Sequence, residues 1–318
     1  MEVVQGWERL AIPGAVATIG VFDGVHLGHQ VLIRGVVERA RRLDVRAVAV
    51  TFHPHPRSIV APHLPWEYIC SLEERIARIA DLGVDLLMIL RFTPELAATS
   101  AEQFVADLIA HVPLRELHVG SGFVLGHARE GNLARLQALG QAWGFSVHAV
   151  SPVCVDGRPV SSTRIRELVQ AGRVEEAERW LGRPFSLRGE VVAGEGRGRR
   201  LGFPTANLHL HPRQLLPGDG VYAVRVRFPA AAAQPDLYAG LAYVGRRPTF
   251  GGGERGVEVY LLEFNGSLLG YELRADFLRR LRPDRKFEST EALAEQMARD
   301  VEAARALLGQ MTRQPQEG

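Results

Sequence analysis

Cysteine is nearly absent from this chain of 318 residues: Cys70 and Cys154 are the only two. That excludes a disulfide framework and a cysteine-built zinc site, and it fits a reducing, cytoplasmic setting. Long hydrophobic runs are missing as well. No stretch approaches the ~20 apolar residues that a membrane-spanning helix needs. The N-terminus lacks a basic region followed by an apolar core, so neither a signal peptide nor a membrane partner is expected. An excess of one charge is also lacking. With 38 basic and 36 acidic residues the net charge is +2, too balanced for bulk nucleic-acid binding. What remains is 46% apolar and 23% charged, the composition of a soluble, well-packed protein. The length is large for one core and points to two domains.

Residues 18–30, TIGVFDGVHLGHQ, form the stretch around which the first half is organised. A short apolar run, residues 15–19, stops at Gly20. Phe22, Asp23 and Gly24 are turn chemistry, because Asp-Gly tolerates positive φ. From Gly28 the apolar residues Leu32, Ile33, Val36, Val37 and Ala40 fall at helical spacing. His26 and His29 therefore sit where a strand ends and a helix begins. Free N–H groups and the positive end of the helix dipole suit that place to a phosphate. Zinc held by His26, His29, His53 and His55 is the competing reading.

Strand and helix patterns alternate up to about residue 150. Strands are expected at 45–50, 85–90, 114–119 and 146–150, and helices after the capping boxes at 71–74 and 100–103. This implies a doubly wound parallel sheet whose ligands sit beyond the strand ends. Arg183 and Pro184 look like a domain boundary. Beyond them short strands follow one another without helices, as in an antiparallel barrel or sandwich. A final helix, about 290–308, turns Leu293, Met297, Val301 and Leu308 to one side. The expected organisation is 1–183, 184–310 and a frayed tail at 311–318.

Three further stretches carry chemistry. Residues 161–166, SSTRIR, supply hydroxyls, a helix N-terminus and an arginine one turn along, which together can hold a leaving pyrophosphate. By itself the same stretch is a capped helix with a surface arginine. Residues 197–208, RGRRLGFPTANL, read as a basic RNA-binding loop, a solvated turn, or a glycine-proline loop that admits phosphate. In the last reading Thr205 and Asn207 offer hard oxygen ligands for Mg²⁺. In GVEVYLLEF, residues 256–264, alternation puts Glu258, Tyr260 and Leu262 on one face. Glu258 is either a solvated carboxylate or a general base for a hydroxyl.

These stretches in this order resemble the bacterial bifunctional riboflavin kinase/FAD synthetase family, over nearly the whole chain. TIGVFDGVHLGHQ, TFHPHP and VSSTRIRELVQAGRVEEAERWLGRPF carry the resemblance in the first half. GRGRRLGFPTANL, GVYAV, GRRPTF, VEVYLLEF and LRPDRKF carry it in the second. The resemblance implies a Rossmann-like nucleotidyltransferase domain, then a six-stranded riboflavin kinase barrel with a C-terminal helix. Riboflavin and ATP would give FMN, and FMN and ATP would give FAD and pyrophosphate, with Mg²⁺. It places ATP phosphates on Gly20, Phe22, Asp23, Gly24, His26, Gly28 and His29, and the triphosphate on Ser162, Thr163 and Arg166. Gly202, Phe203, Pro204, Thr205 and Asn207 would bind the kinase's ATP, with Thr205 and Asn207 toward the metal. Glu258 would deprotonate the ribityl 5′-hydroxyl, and His29 would serve adenylyl transfer. Flavin contacts fall on His55, Phe123, Arg282 and Phe287. Expected partners are small molecules, for a monomer or weak homo-oligomer. The chain departs from the family pattern at Gly122 and Leu125, where an acidic group and an aromatic are usual. It departs again at residues 243–245, Tyr-Val-Gly for the usual Asn-Ile-Gly, and at Tyr260 and Glu263, where histidine and aspartate are usual. The alternative reading is a riboflavin kinase with a weakened or altered adenylyltransferase.

Overall fold

The computed structural model describes residues 1–194, 198, 202–228, 237–246 and 255–311. The basic residues Arg197, Arg199 and Arg200, the PAAAAQP stretch at 229–235, most of the GRRPTF motif and the residues from 312 lie outside the described residues. The chain divides into two compact units, Met1–Ser162 and Thr163–Gly318.

In the first unit the elements are β1 (Glu2–Gln5), β2 (Ala15–Ile19), α1 (Leu27–Arg42), β3 (Arg46–His53), α2 (Pro56–Val60), α3 (Leu72–Asp81), β4 (Leu86–Arg91), α4 (Pro94–Ala98), α5 (Ala101–His111), β5 (Leu114–Gly120), α6 (Leu133–Trp143), β6 (Ser146–Val150) and the small hairpin β7 (Cys154–Val155) and β8 (Arg158–Pro159). Six strands form one sheet in the order β1-β4-β3-β2-β5-β6, every pair parallel. Apolar β2 and β3 are buried on both faces, as a helix-covered parallel sheet requires. One face packs Ala17, Ile19, Val50 and Met88 against Phe104 and Leu108 of α5 and Leu136 of α6. The other packs Val16, Ala49 and Leu87 against Ile33, Val36 and Val37 of α1 and Ile79 of α3. β1 adds an edge strand that its four residues give no periodicity to reveal.

The second unit opens with α7 (Ser162–Gln170) and α8 (Val174–Leu181), whose Gly182 closes α8 in a left-handed cap. The barrel strands follow: β9 (Phe185–Val192), β10 (Ala206–His209), β11 (Gly220–Arg227), β12 (Leu237–Arg246), β13 (Arg255–Leu261) and β14 (Glu272–Pro283). They close in the order β10-β13-β12-β11-β14-β9, every pair antiparallel, so a barrel and not an open sandwich is formed. The last helix, α9 (Thr290–Met311), lays Val301, Ala304 and Leu308 on Val221, Ala223 and Leu241 of the barrel wall. The division at Ser162/Thr163 comes ahead of the boundary expected at residue 183, because the helix pair packs with the barrel strands: α8 lies against β9 and β14.

Candidate active sites

In the first unit, β2 ends at Ile19, and Gly20 donates its N–H to the Val50 carbonyl at 3.0 Å. The turn that follows holds Phe22, Gly24 and Val25 at φ of 52°, 80° and 40°. Only glycine adopts that region freely. For Phe22 and Val25 the strain costs on the order of 1–3 kcal/mol each. Both side chains are only 1% exposed, and such burial contributes about 1.5–3 kcal/mol each. The core thus holds a strained turn in place at a strand's carboxyl end.

His26 caps α1, its Nδ1 accepting the His29 N–H at 3.3 Å. An accepting Nδ1 puts the proton of the neutral ring on Nε2, as a donor. The His26 and His29 rings stack with centroids 3.5 Å apart, and Phe22 meets His29 edge-on at 5.3 Å. Gly28 lies between them in the first turn of α1. Asp23, 2% exposed, accepts from the Ile69 N–H at 3.1 and 3.2 Å and from the Cys70 N–H at 3.4 Å. Its carboxylate therefore clamps the 69–70 segment, and its negative charge opposes direct contact with a phosphate. The Ser162 hydroxyl donates to the Asp23 carbonyl at 3.0 Å, within the first unit. Thr163 and Arg166 lie one turn apart on α7 and are counted with the second unit.

His55 caps α2, accepting the Arg57 N–H at 3.0 Å, and its ring packs on Trp66 with centroids 4.0 Å apart. Tyr68 completes that aromatic group, 4.1 Å from Trp66 and accepting the His55 N–H at 3.0 Å. His26, His29, His53 and His55 do not gather as a ligand set; among the described residues only Glu116, His118 and His148 do. The zinc reading of the four histidines is thereby corrected, since His26 and His55 spend ring nitrogens on helix caps. Phe123 and Leu125 pack against the sheet core, whereas a Cβ at Gly122 would meet open space.

Arg75 escapes the sequence reading. It is fully buried, and its Nη1 donates to Val21 O at 2.7 Å, Phe52 O at 3.1 Å and Thr51 Oγ1 at 3.3 Å. It therefore ties the carboxyl ends of β2 and β3 together beneath the histidine turn. A signal existed: Arg75 falls between Leu72 and Ile79 at the i, i+3, i+7 spacing of a buried stripe.

In the second unit, the pairing of β10, β13 and β12 sets Asn207, Glu258 and Tyr243 on one rung. Thr205 Oγ1 donates to Glu258 Oε2 at 2.8 Å. Val257, Val259 and Leu261 point to the buried face, so Glu258 and Tyr260 share the half-covered outer face. Phe203 stands edge-on to Tyr260 at 5.7 Å, and Gly202 and Pro204 frame it in the loop. A Cβ at Gly194 would lie 1.9 Å from Asn207 Nδ2, so only glycine lets the chain cross that amide. Burial, and then the Asp284 carboxylate beside it, push the Tyr243 hydroxyl up to about 12. Arg282 is committed to Asp300 of α9 at 2.9 and 3.0 Å, with Phe287 5.5 Å beneath its guanidinium.

Known proteins repeat this two-part order. The FAD synthetase family matches residues 9–164 and the riboflavin kinase family residues 181–308. Bifunctional riboflavin kinase/FMN adenylyltransferases are 35% identical in Escherichia coli strain K12, over 97% of this chain and 98% of that one. The Pseudomonas fluorescens enzyme is 39% identical over 96% and 98%, and the Bacillus subtilis enzyme 32% identical over 91% of both. A crystal structure from Streptococcus pneumoniae, titled a macrolide-efflux protein, superposes with a TM-score of 0.85 at 32% identity, covering 96% of this chain and 99% of that one. Among the described residues no helix is long and apolar enough to cross a membrane. With relatives this similar along nearly their whole length, the chain belongs to the bifunctional riboflavin kinase/FMN adenylyltransferases: a FAD synthetase domain followed by a riboflavin kinase domain.

Proposed function

We propose that Glu258 is the base of the kinase reaction and that His26 and His29 hold ATP phosphates in adenylyl transfer. In the first reaction Glu258 takes the proton of the riboflavin 5′-hydroxyl as its oxygen attacks the γ-phosphorus of ATP, and ADP leaves. Thr205 orients the carboxylate through its hydroxyl. The Thr205 hydroxyl and the Asn207 amide are hard oxygen donors beside a backbone that a Cβ at Gly194 would obstruct. That donor set fits Mg²⁺, which when bound would neutralise phosphate charge. In the second reaction an FMN phosphate oxygen attacks the α-phosphorus of ATP and pyrophosphate leaves. His26 and His29 donate to the phosphates, and Ser162, Thr163 and Arg166 hold the leaving group. Each preorganised donor contributes about 3 kcal/mol. Toward the flavins, His55 and Phe123 serve the first unit and Phe287 the second, with Arg282 positioning Phe287. Small molecules as partners, a monomer or weak homo-oligomer, and a cytoplasmic place complete the reading; two free cysteines support the last.

The observation that carries it is the meeting of Glu258 with Asn207 on one strand rung and with the Thr205 hydroxyl from the loop. Glu258→Gln is expected to lower FMN formation by about 10²–10⁴-fold, while FAD formation from supplied FMN is unchanged. Unaltered kinase turnover removes Glu258 as the base. The open space at Gly122 favours a second reading, a kinase with weakened adenylyl transfer. The wild-type protein with FMN, ATP and Mg²⁺ decides it, since no FAD above a no-enzyme blank establishes that reading.

A further inference from the structure

Away from the histidine turn, β5 and β6 carry a second cluster. Glu116 and His118 are two residues apart on β5 and so share a face. The parallel register sets His148 of β6 beside His118. Arg39 of α1 packs on this face, its Nε 3.0 Å from both Glu116 oxygens and its Nη2 2.7 Å from Oε1. Arg39 lies ten residues along α1 from His29, roughly 15 Å at the rise of a helix, so the cluster is separate from the phosphate residues.

The Glu116 Oε2 lies 3.0 Å from His118 Nε2 and 3.6 Å from His148 Nε2. One ligand atom from each of the three falls within 4.8 Å of the others. A tetrahedral ion with bonds of 2.0–2.1 Å needs ligand separations of about 3.4 Å, which the two measured distances bracket. We propose that Glu116, His118 and His148 form a binding site for a divalent zinc-class ion, with three protein ligands and a fourth position open to solvent. His148 Nε2 also lies 3.0 Å from the Ser146 hydroxyl, a contact that the ion replaces. Arg39 keeps its hold on Oε1 and orients the carboxylate, as outer partners of metal ligands do.

The ion would staple the half-exposed edge strand β6 to β5.

The test is calorimetric titration of the chelator-stripped full chain with zinc sulfate, in wild type, His148→Ala, His118→Ala and the control His211→Ala. One zinc per chain is expected in wild type and the control, with affinity lowered at least about tenfold in the other two. Zinc should raise the Tm of wild type and not that of His148→Ala, whose side chain is 46% exposed. The inference is overturned if wild type takes up no zinc, or if His148→Ala and His118→Ala bind it as wild type does.

Discussion

Arg75 places a full charge in the interior of the first unit, where desolvation alone costs several kcal/mol. Its Nη1 answers three oxygens at the ends of β2 and β3, and among the described residues its Nε and Nη2 have no hydrogen-bond partner. Arg75→Met should lower stability by about 1–3 kcal/mol for the acceptors it abandons and suppress FAD formation from FMN, with kinase turnover retained. Arg75→Lys, keeping one donor group, should recover most of the stability. Chemical denaturation with both activity assays checks this. Tyr243 gives an alkaline counterpart. Its hydroxyl rises to about 12 in the folded protein from about 10 in an unfolded chain. The folded state then holds a proton that the unfolded state has released, so its stabilisation is complete below pH 10 and is lost as pH climbs toward 12. Tyr243→Phe should flatten that part of the stability–pH curve, measured by denaturation between pH 8 and 11.

Among elements, the legible ones announce their ends locally. Ser71 accepts the Glu74 N–H and Ser100 the Gln103 N–H, the capping boxes that SLEE and SAEQ spell. The helix at α6 likewise begins at the Asn132 cap and ends at the left-handed Gly144. What sequence could not reach was pairing at a distance. β10 begins within Pro-Thr-Ala-Asn, which has no apolar alternation, and it becomes a strand because Ala206, Asn207 and Leu208 find partners on β13. Glu258 admits two readings in the sequence for the same reason: the hydroxyl that it meets is 53 residues away at Thr205. Arg75 was legible as a stripe position, but its acceptors, 54 and 23 residues away at Val21 and Phe52, were not. The tightness of the β10 rung can be tested at its neighbour. Gly194→Ala puts a Cβ on the Asn207 amide, so riboflavin phosphorylation should fall at least about tenfold, since a displacement of about 1 Å can cost 10²-fold. FAD formation from FMN should be untouched, as parallel assays would show.

For the whole molecule, two chemistries in one chain predict complementation. Glu258→Gln should make little FMN, and His29→Ala should make little FAD from it. An equimolar mixture given riboflavin and ATP should nevertheless produce FAD, because FMN released by one chain can serve the other. Chromatography of the products checks this, and FAD no greater than the sum of the separate variants would mean that FMN is not shared. The molecule also manages its phosphates almost without lysine. Lys286 is the single lysine among the 38 basic residues, so fixed anion binding falls to arginine, histidine and backbone amides.

The barrel closes by joining β9 to β14, its first strand to its last, with Phe185 opposite Phe277. On a ribosome that seam cannot form until nearly all of the second unit has emerged, and pairing over such a separation is slow. The residues proposed for adenylyl transfer are complete in sequence by Arg166, ahead of the first barrel strand. Each nascent chain therefore has the residues for FAD formation in hand before it can close the barrel that makes FMN, and its earliest substrate must come from molecules finished before it.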